Sequence, residues 1–187
     1  HLYSGTGPFN VTLTATNAGG CAKDTIISIV DVFAQAHGAF TVNAENCLND
    51  PTVFTSTSTG SGAVITDWYW DFGDGTPVST IQNPSHTYAT PGTKTVKHWI
   101  KTINGCMSDT ISHTVVINPL PTSDYTFITP SCQTRTISFT DISVPNVGSL
   151  TNWAWNFEDL ASGAANTSTL QNPTHEFASA GIYNVML

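Results

Sequence analysis

The sequence predicts an all-β fold in which small sandwiches follow one another in tandem, and three observations carry that prediction. The stretch Trp68-Tyr69-Trp70-Asp71-Phe72-Gly73-Asp74-Gly75 reads as a strand entering a tight turn, with Trp68, Trp70 and Phe72 two apart and so on one face. Much of the chain repeats at an offset of 85 residues: Gly7–Cys21 falls on Gly92–Cys106 without a gap, Asp24-Thr25-Ile26 on Asp109-Thr110-Ile111, and Trp68 and Trp70 on Trp153 and Trp155. No stretch shows helical periodicity, whereas short runs that alternate apolar residues with threonine recur between turn signals.

Composition narrows the function. Only 10% of the 187 residues are charged and Lys plus Arg number five, against a hydrophobic share of 40%. Low charge with abundant threonine suits solvent-facing strands, where β-branched side chains fit. A net charge of −8 leaves nothing to neutralise phosphates, which argues against nucleic acid as a partner. No apolar run reaches membrane-spanning length. The four cysteines, Cys21, Cys47, Cys106 and Cys132, form no CxxC or Cys/His cluster, so they read as disulfides of an oxidising compartment rather than as a zinc site.

The repeat offset divides the chain into residues 1–35, the back of one repeat; 36–118, a whole repeat; and 119–187, the front of a third. In the first, Asn10–Thr16 and Lys23–Val32 read as strands around a turn at Asn17–Gly20. In the whole repeat, strands are expected at Ala39–Ala44, Thr52–Thr57, Val64–Phe72, Val78–Ile81, Thr93–Thr102 and Met107–Ile117, with His86–Tyr88 leading to the Pro91-Gly92 turn and Asp74-Gly75 and Asn104-Gly105 as further turns. Seven or so short strands in one small domain make an immunoglobulin-like sandwich. Pro119-Leu120-Pro121 is a stiff linker. Neither flanking fragment holds enough strands to close a core alone. A slice of a longer array accounts for this, as would a fibre in which the front fragment of one chain is completed by the back fragment of the next.

Trp-Asp-Phe-Gly-Asp-Gly at 70–75, followed by Asn83-Pro84-Ser85-His86-Thr87-Tyr88 and Pro91-Gly92, resembles the signature of the PKD domain. The resemblance covers the whole chain and implies tandem, non-enzymatic, immunoglobulin-like modules. Asn-Gly-Cys at 104–106 with a cysteine before the second strand resembles the variant found in large secreted proteins of Bacteroidota, which implies an extracellular or cell-surface location. Asp24-Thr25-Ile26 and Asp109-Thr110-Ile111 resemble the Asp-Thr-aliphatic acceptor of O-glycosylation in that group, making Thr25 and Thr110 glycosylation candidates. The third copy departs from the signature: Asn156, Glu158 and Leu160 stand where Asp71, Gly73 and Gly75 do.

Asp67, Asp71 and Asp74 could gather around a calcium ion. The competing reading has Asp71 and Asp74 capping turn amides, and Asn156 in place of Asp71 favours it. His86 and His175 recur without a nucleophile at a matching place, so each is expected to bond the turn backbone, and Tyr88 to pin the turn before Pro91. Trp68, Trp70, Trp153 and Trp155 are expected inward. Tyr69 and Trp99 alternate outward and are candidates for an interface. His98 is expected in the core wall, hydrogen-bonded. Among the cysteine pairings, Cys47–Cys106 within the whole repeat is preferred to stapling Cys21–Cys47 and Cys106–Cys132, leaving Cys21 and Cys132 to pair outside these residues. Its difficulty is that the two loops lie at opposite ends of a simple sandwich. The function expected is a stalk, adhesin or fibre segment whose partners are neighbouring repeats or other copies in a filament, without a cofactor. The alternative is a carbohydrate- or protein-binding accessory module of a secreted hydrolase.

Overall fold

The computed structural model describes residues 1, 3–29, 32–43, 46–128 and 135–187. They form two compact units, His1–Ile117 and Asn118–Leu187. Nearly all of the regular structure is β.

The first unit opens with a hairpin of β1 (Phe9–Thr16) and β2 (Ala22–Ile29), paired along eight positions. Asn17 shapes its turn, its Oδ1 accepting from the amides of Gly19 and Cys21. Both faces of this hairpin are open: only Phe9 in β1 is even half-buried.

The whole repeat follows as two three-stranded sheets. β3 (Phe40–Val42), β4 (Pro51–Ser56) and β6 (Ser85–Thr87) make one, and β5 (Ile65–Asp71), β7 (Gly92–Thr102) and β8 (Ile111–Ile117) the other. All neighbours run antiparallel. Alternation puts Val96, His98, Ile100 and Thr102 of β7 inside and leaves Thr95 and Lys97 in water. Phe40 and Phe54 of the first sheet pack with Trp70, Val96, Val115 and Ile117 of the second, and Phe72 and Tyr88 close the end of the same cluster. A core this aromatic is what lets so small a sandwich bury enough surface.

Three local departures have physical causes. The strand expected at Val78–Ile81 is reduced to a bridge between Ser79 and Trp70, because the Trp70 indole N–H takes the Ile81 carbonyl. β8 begins at Ile111 rather than Met107, because the Ser108 hydroxyl accepts from the Ile100 amide in place of a backbone carbonyl. Trp68 sits beside a register shift at Ile65/Asp67 and is half-buried, not a core residue like Trp70.

The second unit repeats the plan with β9 (Tyr125–Ile128), β10 (Thr136–Asp141) and β13 (Thr174–Glu176) in one sheet. β11 (Trp155–Asn156) pairs with β12 (Thr167–Ser168), and Asn156 bridges Met186. Its core is Phe139, Trp155, Phe157 and Phe177. The four residues by which this copy is longer fall in a 3-10 segment, Leu160–Asn166, which sequence periodicity did not announce. Trp153, like Trp68, is only half-buried, its indole N–H donating to Asp141 Oδ2 at 2.8 Å.

Candidate functional site

The turn after β5 is where most of the chain's polar chemistry collects. Gly73 has φ +74°, and a Cβ there would collide with the Thr95 carbonyl, so the close approach of this turn to β7 requires glycine. Asp71 Oδ1 accepts from the Gly73 amide at 3.0 Å, and Asp74 Oδ1 from the Thr76 hydroxyl at 2.6 Å and its amide at 3.2 Å. Asp74 Oδ2 meets His86 Nε2 at 2.7 Å. The His86 ring lies flat on Phe72, centroids 4.1 Å apart, and Tyr88 packs edge-on to it. Burial opposes charge on Asp74, but the bonds from Thr76 and His86 outweigh it and hold the carboxyl down at about 2. The Tyr88 hydroxyl donates to the Phe72 carbonyl at 3.1 Å, and burial, then the Asp74 and Asp71 charges, push its pKa up.

The third copy rebuilds the same pair. His175 stacks on Phe157 at 4.2 Å, stands edge-on to Phe177, and places Nε2 3.1 Å from Asp159 Oδ2, with both side chains almost wholly buried. The same Asp159 oxygen accepts from the Ala178 amide at 2.9 Å, the main cause of its lowered pKa; burial opposes this and His175 adds to it. The expected partner of each histidine, turn backbone, is therefore corrected to an aspartate side chain. The signal was present in the sequence: Asp74 recurs as Asp159 at the same offset of 85 while the acids around it change. An aspartate–histidine pair could orient a nucleophile, but the His86 and His175 ring faces are taken by phenylalanines and each pair ties a turn to a strand.

The calcium candidates do not converge. Asp71 and Asp74 are occupied with turn amides, and Asp67 accepts from the Thr66 hydroxyl. Among the described residues no group of three His, Cys, Asp or Glu side chains is placed to hold a metal ion.

Tyr69 and Trp99 are direct cross-strand partners on the outer face of β5 and β7. Their rings are nearly parallel, at 7°, with centroids 5.4 Å apart. Asp67 faces Lys101 on one side of them and Asp71 faces Lys97 on the other, the latter pair at 3.5 Å. Sequence alternation put each outward but did not pair them. On the inner side of the same sheet His98 is fully buried. Its Nδ1–H donates to the Tyr69 carbonyl at 2.9 Å, and Nε2 lies 3.1 and 3.0 Å from the Ser56 and Ser58 hydroxyls. Burial lowers its pKa and the Tyr69 carbonyl partly restores it. Ser56 ends β4 and Ser58 follows it in a polar loop that pattern reading treats as solvent, so neither was matched to the ring.

Cys21, Cys47 and Cys106 are free thiols in this structure, and Cys132 lies outside the described residues. The pairing expected within the whole repeat meets a geometric obstacle. Asn49, two residues after Cys47, donates its amide to the Tyr88 carbonyl, close to where β7 begins. The Cys106 carbonyl accepts from Thr102, where β7 ends. At about 3.3 Å per residue, the strand holds the two ends roughly 30 Å apart, whereas a disulfide tolerates about 7 Å between Cα atoms. Thr25 lies in β2 and Thr110 just before β8, both exposed. Asp24 beside the first accepts from Thr14, and Asp109 beside the second from Gln35.

The fold and its turns thus define a class: a tandem β-sandwich module whose charged residues serve its own loops. A PKD-domain family model matches residues 38–117 and again 118–187, and the chain belongs to the PKD-domain family. Among solved structures it is similar to the PKD1 domain of Vibrio anguillarum Epp, at 20% identity over 46% of this chain and 96% of that one, TM-score 0.41. The PKD1 domain of the Vibrio cholerae metalloprotease PrtV is 25% identical over 45% of this chain and 98% of its own, TM-score 0.40. A carbohydrate-binding module of the β-sandwich superfamily matches at 14% identity over 82% and 83% of the two chains, TM-score 0.43. No helix among the described residues is long and apolar enough to cross a membrane.

Proposed function

We propose that this chain is a non-catalytic segment of an extracellular structural array, a stalk, adhesin or fibre, with residues 1–35 the back of a repeat, 36–118 a whole one and 119–187 the front of the next. The observation that carries the reading is repetition of structure without repetition of a surface site. The Asp–His pair that does recur joins a turn to a strand in each copy. Exposure of Thr25 and Thr110 is compatible with glycans at both, which would place the chain outside a bacterial cell, and Cys21, Cys47 and Cys106 are then available to bridge between repeats. The test is single-molecule pulling of the chain between marker domains. The whole repeat should unfold in one resolved event that releases about 300 Å of contour at roughly 3.6 Å per residue. Extension without a resolved event would remove the mechanical reading.

One observation favours a second reading, the accessory binding module. Tyr69 and Trp99 form a stacked aromatic pair framed by acid–lysine pairs, and aromatic faces on a sheet exterior serve saccharide and protein contacts alike. Retention on insoluble polysaccharide that disappears with Trp99→Ala would move the assignment to this class.

A further inference from the structure

We infer that the outer face of β5 and β7 is a contact between two copies of this chain, which pair side by side across a two-fold axis running parallel to the strands. The inference names the occupant of the Tyr69–Trp99 face and does not rest on the array bearing load.

The face is built as a set. Tyr69 and Trp99 are stacked at its centre, and both stay half-buried in the single copy. Asp67 and Asp71 frame them on β5, Lys101 and Lys97 on β7, each acid level with its lysine. Those two lysines are among only five Lys and Arg residues in a chain of net charge −8. The other copies carry none of this. β1 has Thr12, Thr14 and Thr16 at the positions of Lys97, Trp99 and Lys101, and the third copy has Asn152, Ala154 and Asn156 at those of Asp67, Tyr69 and Asp71. These strand positions therefore accept small uncharged residues, and the rings and charges come and go together, as parts of one surface.

The arrangement of charge selects the partner. Two like sheets packed face to face are related by a two-fold axis lying between them. An axis perpendicular to the strands would set Asp67 over the partner's Asp71 and Lys97 over the partner's Lys101, like charge on like. An axis parallel to the strands exchanges β5 with β7 and keeps each level. Asp67 then lies over the partner's Lys101, Asp71 over the partner's Lys97 and Tyr69 over the partner's Trp99. Each level of charge becomes a square of alternating sign, and four rings close the centre and leave water. The face is complementary to itself, which a second copy answers and a neutral polymer does not.

The contact is small. β5 and β8 are each seven residues long. Three strands about 4.8 Å apart, at about 3.3 Å per residue, cover roughly 330 Å², against about 800 Å² per partner in stable complexes. One pair is therefore weak, and arrays lying alongside each other would multiply it.

Sedimentation equilibrium of the chain from micromolar to near-millimolar concentration tests this. Wild type should pass from 19.9 kDa toward twice that mass. Asp67→Lys with Asp71→Lys makes the face all-cationic, and Lys97→Asp with Lys101→Asp makes it all-acidic; each variant alone should pair at least about tenfold more weakly. Mixed in equal amounts, the two should restore a dimer holding one of each, because opposite charges again lie over one another. Trp99→Thr gives β7 the residue that β1 carries at this position, so the strand is kept, and it should weaken pairing about tenfold as well. A wild type that stays at 19.9 kDa throughout overturns the inference, and retention on polysaccharide through Trp99 would then give the face to a saccharide. So does a charge variant that pairs as well as wild type, or an equimolar mixture that stays monomeric. None of these outcomes alters how a single chain unfolds under load.

Discussion

In the whole repeat, the histidine that stacks on a phenylalanine is tied to an aspartate at the rim of the sandwich; in the third copy the same pair is sunk out of solvent. The surroundings differ more than the pair does. Around Asp74 the turn is short and needs Gly73 and Gly75, both at positive φ. Around Asp159 the turn swells into a 3-10 segment, Glu158 takes the place of Gly73, and Asn156 takes that of Asp71. Asn156 Oδ1 still accepts from the Glu158 amide at 3.0 Å, as Asp71 Oδ1 does from Gly73. The turn's function survives the loss of one carboxylate because the capping oxygen, not the charge, is what the backbone needs. What both copies keep is an aspartate that locks a histidine flat against the phenylalanine just after the strand.

The two cores sharpen the comparison. Trp70 is fully buried under a cluster that β8 closes, whereas Trp155 belongs to a cluster with an open groove along one side. Trp70→Ala should cost the first unit about 3–5 kcal/mol. Trp155→Ala should cost less, because an open wall lets neighbours collapse into the space. Urea unfolding of each variant, with hydrogen exchange to report the two units separately, checks the order. Equal losses would mean that the groove is closed in solution.

The glycine at the turn is the next largest contrast. Gly73→Ala brings a methyl group against the Thr95 backbone at a positive φ and should cost roughly 2 kcal/mol. Glu158 already holds φ +55° with a full side chain, so Glu158→Gly should gain up to about 1 kcal/mol by releasing that strain. Thermal midpoints of the two variants should move in opposite directions. A neutral Gly73→Ala would show that β7 can retreat from the turn.

These contrasts mark how far pattern alone reaches. The inward face of β7, the turn glycines and the tandem plan are legible because period-two alternation and positive-φ turns are written in single residues. Asp74–His86 was legible only as the recurrence of Asp74 at Asp159, because the bond itself joins residues 12 apart whose meeting depends on the turn folding first. Trp68 misled for a related reason. Spacing gives the face of a strand, but not how far along it the facing sheet extends. For the cysteines, the opposite-end placement of the two loops was legible from the strand order, while the separation itself is set by the length of β7.

Acid separates the two pairs most finely. The Asp74 carboxyl titrates at about 2 in the folded whole repeat, against about 3.9 for an unfolded aspartate. A depressed folded pKa means that the unfolded chain binds the proton more readily, so this contribution is complete above about pH 4 and is lost as pH falls toward 2. Asp74→Asn keeps the shape, removes the charge-assisted bond to His86, and should cost about 1 kcal/mol near neutrality. The variant should also show a flatter fall in unfolding midpoint between pH 4 and 2 than wild type. Asp159, held mainly by the Ala178 amide, should fail in the same direction in its own unit, so Asp159→Asn should flatten the acid limb of the second unit and leave that of the first unchanged. A first unit whose acid limb is the same with and without Asp74 would show that the rim pair is open to water and that only the sunken one braces its turn.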